Sequence, residues 1–104
     1  GKVVYVNFLF QVQPECDCMP VADVPVVQDQ GIMVSDDLVA IEQASLDMLR
    51  NAPPLPQSAA AEAKLNAGDD ILYTLNPRPL QLQIDEAERL GLGTKQYALM
   101  TIEP

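Results

Sequence analysis

GIMVSDDLVAIEQASLDMLRNA, residues 31–52, decides the fold class of this chain. Gly31-Ile32-Met33-Val34 is a short apolar run of the kind found in a buried strand, and it passes without a break into a helix start. Ser35 is the expected N-cap, and Asp36 and Asp37 place negative charge at the positive end of the helix dipole. Apolar residues then recur at Leu38, Ile41, Ala44, Met48 and Ala52, close to one helical face. Val39, Leu46 and Leu49 widen that face, as in a helix lying on a sheet. Asn51 and the pair Pro53-Pro54 end the helix.

Toward the N-terminus, residues 3–12, VVYVNFLFQV, are almost wholly apolar and rich in β-branched and aromatic types. Such a run predicts a strand covered on both faces, as in the centre of an α/β sheet. Pro14 ends it. The following stretch carries Pro20 and Pro25 without a sustained period, which predicts an extended loop that pairs briefly at Val24 to Val27.

Toward the C-terminus, residues 53–70 read as a surface excursion with one helical turn around Ala59 to Leu65. Ile71 to Leu75 fits a helical turn or a short strand equally well. Pro77 and Pro79 then lead into a helix from Leu80 to Leu90, with Leu80, Ile84, Ala87 and Leu90 toward the core and Gln81, Asp85, Glu88 and Arg89 toward water. Gly91 is placed as its left-handed C′ residue, with Leu92 folding back on Ala87. Tyr97 to Ile102 is the last expected strand.

Helices alternating with strands predict one α/β domain over residues 1–104, with a small mixed or partly parallel sheet of about three strands and two main helices. Three strands are few for a sheet covered on both faces. The chain is therefore expected to be part of a larger α/β domain, or a unit that completes its sheet against another chain as a homo-oligomer.

Composition narrows the function classes. Apolar residues make up 48% of the chain, enough for a packed core and too many for a disordered tail. No apolar run reaches membrane-spanning length, so no membrane partner is expected. The net charge of −9 disfavours nucleic acid, whose phosphates require a basic face. The charge is also unevenly spread. Between Lys2 and Arg50 there is no basic residue, whereas Glu15, Asp17, Asp23, Asp29, Asp36, Asp37, Glu42 and Asp47 fall in that interval. This is either a solvated acidic face or a surface for cations or a basic partner.

Candidate chemistry is confined to a few residues. Histidine is absent, which removes Ser-His-Asp and Cys-His pairs and histidine-based zinc sites from within the chain. Cys16 and Cys18 are too close in sequence for an unstrained disulfide, which points to free thiols or thiolate ligands in a reducing cytoplasm. In an extended segment, residues i and i+2 face the same way, so the two thiolates could share a metal. A tetrahedral zinc or an iron–sulfur cluster needs about four ligands, and carboxylates alone remain to complete the set here. Two small buried residues in a turn are the simpler alternative. The neighbouring acids raise the thiol pKa values and disfavour a nucleophile. Asp29 either binds a cation or ends a loop. Asp36 and Asp37 read as ordinary first-turn acids, which also disfavour phosphate at that helix terminus. Catalytic residues are not identified, and an enzymatic role is left open.

Two motifs carry a resemblance. The run CDC followed by VPVVQDQGIMVSDDLVAIEQASLDML, and later AERLGLGTKQY from Ala87 to Tyr97, resemble the C-terminal part of domain of unknown function family 362, a group described as iron–sulfur centre proteins. Its pattern is Cys-Asp-Cys, a "PIV-D-GI-AS-DPVAIDQA" run and a later "A-E-x-GLG-x-x-Y". The resemblance spans roughly residues 2 to 102. Asp37-Leu38 stands where the pattern has Asp-Pro, and Glu42 where it has Asp. Many members carry a ferredoxin-type insert upstream, and its cysteines have no counterpart here. The resemblance implies a C-terminal α/β module of a ferredoxin-linked protein. Cys16 and Cys18 would then lend ligands or thiols to a redox or metal site completed elsewhere, by an upstream ferredoxin-like segment or a redox partner. No cofactor is expected within this chain alone; an iron–sulfur cluster or metal is expected of the full-length protein. The competing expectation is a non-catalytic scaffold that dimerises or docks through a sheet edge and its acidic face.

Overall fold

The computed structural model describes residues 2–14 and 24–102. Strands β1 (Tyr5–Leu9) and β2 (Gly31–Ser35) form the sheet, and four helices follow among the described residues: α1 (Leu38–Arg50), α2 (Ala59–Glu62), α3 (Ile71–Leu75) and α4 (Leu80–Arg89). The class is mixed α/β, but the expected sheet is corrected in three respects. It has two strands among the described residues, it is antiparallel, and it is open on one face. Register pairs Leu9 with Gly31 and Tyr5 with Ser35, so the chain reverses between the strands. The carboxyl end of β1 therefore lies beside the start of β2. Parallel neighbours would have brought Leu9 and Ser35 to one edge; instead they are at opposite ends.

The expected third strand is absent. Residues 97–102 run without regular structure, and among the described residues no backbone hydrogen bond ties them to β2. Side-chain anchors hold this segment instead, as described below.

Helix α1 packs on one face of both strands. Its N-cap is Asp37, not the expected Ser35: an Asp37 carboxylate oxygen accepts from Ala40 N at 3.0 Å. Ser35 acts one step earlier, its Oγ accepting from Asp37 N at 3.0 Å. A carboxylate is the stronger acceptor, and it takes the cap from the hydroxyl.

Two apolar clusters make the core. Val26, Val27, Ala52, Ala60 and Ile71 form one, and Val39, Leu46 and Ile84, with Ala87 against them, form the other. The brief pairing around Val24 to Val27 is present as a bridge between Val27 and Pro54, with Val26 N donating to Val12 O at 2.9 Å. The excursion at 53–70 follows α1 and turns back on this cluster through α2, where Ala60 is fully buried and Ser58 Oγ accepts from Ala61 N as the cap. Residues 71–75 resolve as helix.

The core face of α4 is narrower than its period predicts. Ile84 is buried and Ala87 half-buried, whereas Leu80 and Leu90 are exposed. Gln81, expected in water, bridges to α1: its side chain exchanges hydrogen bonds with Gln43 and accepts from Arg50 at 3.0 Å. A polar seam thus takes the place of the outer part of an apolar stripe.

Candidate functional site

The polarity of the sheet is inverted relative to its cover. The strand positions turned toward α1 include Asn7 and Ser35, while Val6, Phe8, Ile32 and Val34 point away. Asn7 Nδ2 donates to Glu42 Oε1 and Ser45 Oγ, both at 3.0 Å, and Ser45 Oγ reaches Met33 Sδ at 3.4 Å. The half-buried Asn7 amide on the covered face is thus satisfied by the helix.

On the other face, Val6 lies opposite Val34 and Phe8 opposite Ile32. Their exposures are 47%, 65%, 65% and 56% for Val6, Val34, Phe8 and Ile32, and no described element covers them. Phe10 extends the row, its ring tilted against that of Phe8 at a centroid distance of 6.1 Å. Antiparallel sheets that face water normally alternate apolar-in and polar-out. Here the contiguous apolar side faces out.

Beside this face, β2 borders a groove of about 470 Å³. Residues 30–35 form one wall, residues 97–102 the other, and Ala40, Ile41, Ala44 and Met48 of α1 the floor. The far wall is pinned where the chain enters it. Tyr97 Oη donates to Asp47 Oδ2 at 2.7 Å, and this bond, with partial burial, pushes the Tyr97 phenol above the ordinary tyrosine value. Thr94 N donates to Asp37 Oδ2 at 3.2 Å. Lys95 N donates to Glu88, and its ammonium pairs with Asp85 at 2.9 Å.

Gly93 makes the crossing over α1 possible, since a Cβ there would lie 2.1 Å from Asp37 Oδ1 and 3.1 Å from Val39 Cβ. The two sequence motifs therefore meet in space: Asp37 from the first holds Gly93-Thr94 of the second, and Asp47 holds Tyr97. The hydrogen bonds from Ala40, Thr94 and Val39 hold the Asp37 carboxyl below the ordinary aspartate range.

The metal candidates read from the sequence are Cys16, Cys18 and Asp29. Cys16 and Cys18 lie outside the described residues. Asp29 is described, and its carboxylate accepts from Gln11 N at 2.8 Å, fastening a residue held at φ 49°. No group of three or more His, Cys, Asp or Glu side chains suited to a metal ion occurs among the described residues. No described helix is long and apolar enough to cross a membrane. Comparison with protein-family models, with curated proteins and with solved structures returns no match for this chain.

Proposed function

We propose that this chain is a non-catalytic scaffold module that dimerises through the open face of its sheet. The observation that carries the reading is the outward row Val6, Phe8, Ile32 and Val34, apolar and free of charge on a protein of net charge −9. A second copy suits this face better than a charged partner does. The surface is self-complementary under a two-fold axis. The acids of α1 lie on the opposite side of the sheet, so stacking two sheets about 10 Å apart buries the apolar rows without pressing those acids together. Sedimentation across a concentration series tests it. The wild type is expected to dimerise, and the Val6→Glu/Phe8→Glu double variant, checked for native circular dichroism, to remain monomeric. A wild type that stays monomeric up to millimolar concentration overturns the reading.

A second reading is favoured by Cys16-Asp17-Cys18 and by the two motifs that meet at Asp37. In it the chain is the C-terminal α/β module of a cytoplasmic, iron–sulfur-associated protein. Its thiolates contribute to a metal or redox site whose other ligands come from an upstream ferredoxin-like segment or a redox partner. Its test is the metal content of anaerobically purified protein beside a Cys16→Ser/Cys18→Ser variant. Metal lost with the cysteines supports it; metal content unchanged by the substitution counts against it.

A further inference from the structure

The groove beside β2 differs from the open face in what it offers. The face presents side chains; the groove presents backbone. Strand β2 is paired with β1 along one edge, and its other edge has no ladder partner among the described residues. An unpaired edge is a template for another strand, and proteins usually blunt it with lysine, proline or a covering element. Neither Gly31–Ser35 nor residues 97–102 contain a charge or a proline. The C-terminal segment stands off from β2, with a groove of about 470 Å³ between them, where a direct ladder would have closed the space.

From these observations we infer that the β2 edge accepts an extended peptide segment of a partner protein as an added strand, apolar at alternate positions and basic at its ends. Strand addition of this kind draws affinity from main-chain hydrogen bonds and specificity from alternate side-chain pockets. Both are available here: the open edge supplies the first, and the uncharged floor of Ile41, Ala44 and Met48 the second. Charge complementarity sets the ends. Exposed Asp29, whose Oδ1 accepts from Gln11 N, precedes the groove wall at Gln30, and exposed Asp36 follows it at Ser35, so an acid stands beyond each end of the wall in sequence. With no lysine or arginine between Lys2 and Arg50, nothing along this stretch of sequence offsets them. The inference goes beyond the reading of the chain as a dimerising scaffold and uses a different surface from the dimer face.

The probe is a short synthetic peptide of alternating valine and threonine with a lysine at each end. Its controls are the same peptide with glutamate ends and one N-methylated along a single backbone edge. The lysine-ended peptide is expected to bind and to slow amide hydrogen exchange across residues 31–35. Reversing the ends should weaken binding about tenfold, because two exposed charge pairs turn repulsive. N-methylation should abolish binding. Ala98→Trp, which fills the groove from its exposed wall, should weaken binding at least as much as end reversal, whereas Val6→Glu/Phe8→Glu on the far strand should leave it unchanged. Absence of peptide binding, equal affinity for both end charges, or binding without protection at 31–35 overturns the inference. The outcomes stay separable: a chain that dimerises but ignores the peptide retains the face and loses the groove, and a monomer that binds the peptide does the reverse.

Discussion

Asp37 ties the start of α1 to the segment that follows α4. It caps α1 through Ala40 and reaches Thr94 across the chain, and its position requires Gly93 to lack a Cβ. Asp37→Ala is expected to cost about 1 kcal/mol, the usual loss for an N-cap, measured by urea unfolding. Gly93→Ala drives a Cβ into an oxygen held by these bonds, so it should destabilise the wild type more than it does the Asp37→Ala background. The double-mutant cycle should therefore be non-additive, and additive values would show that the close approach relaxes freely.

The pH dependence of these contacts has a definite sign. Asp37 is lowered in the folded state from the ordinary 3.8, so its contribution is fully present above that value and fades as pH falls through the lower folded pKa. Asp37→Ala should flatten that acid limb of the stability curve. Tyr97 runs the other way. Its folded pKa is raised above 10.0, so its bond to Asp47 stabilises fully below that value and is lost as pH climbs through the higher folded one. A tyrosinate absorbance titration of wild type against Tyr97→Phe should locate the missing transition above the ordinary tyrosine range.

At the scale of elements, the end of α4 was legible in sequence and the pairing of the strands was not. Gly91 adopts φ 79°, Leu92 N donates to Ala87 O at 3.1 Å and Gly91 N to Glu88 O at 3.0 Å, the double bond of a Schellman ending. A Cβ at Gly91 would meet nothing within 4 Å, so Gly91→Ala should cost roughly 1 kcal/mol from backbone conformation alone, read as a shift in the urea midpoint at constant m-value. Capping chemistry is local, and local sequence specifies it. Strand direction is not: a long connection is compatible with either parallel or antiparallel return, and only the register settles it. The open face left a trace that apolar content concealed. Asn7 breaks the β1 run on one side of the pleat and Ser35 ends β2 on that same side, which marks Val6, Phe8, Ile32 and Val34 as the uniformly apolar face. The second wall of the groove, Tyr97 to Ile102, alternates only loosely, which is a weak strand signal. What holds it is the Tyr97–Asp47 and Thr94–Asp37 contacts, whose partners lie 50 and 57 residues away in sequence.

For the molecule as a whole, the surface is larger than a folded monomer of this mass usually exposes. Its accessible area is 7338 Å², against about 5,700 Å² for a folded monomer of 11.3 kDa. The radius of gyration is 14.5 Å, where about 13 Å is usual at this length. Both departures are in keeping with an apolar sheet face awaiting a second layer. The two proposed contacts should then respond oppositely to salt. Dimerisation brings together two chains of net charge −9 through uncharged faces, so long-range repulsion opposes it. Shortening the Debye length from about 30 Å at 0.01 M salt to about 8 Å at 0.15 M relieves that repulsion, and the dimer should tighten several-fold. The lysine-ended peptide is drawn by the same acids, and the same change of salt should weaken it by a comparable factor. Sedimentation and peptide titration at the two salt concentrations measure both. If dimer and peptide move in the same direction with salt, the assignment of an uncharged face and an acid-flanked edge to separate surfaces is wrong.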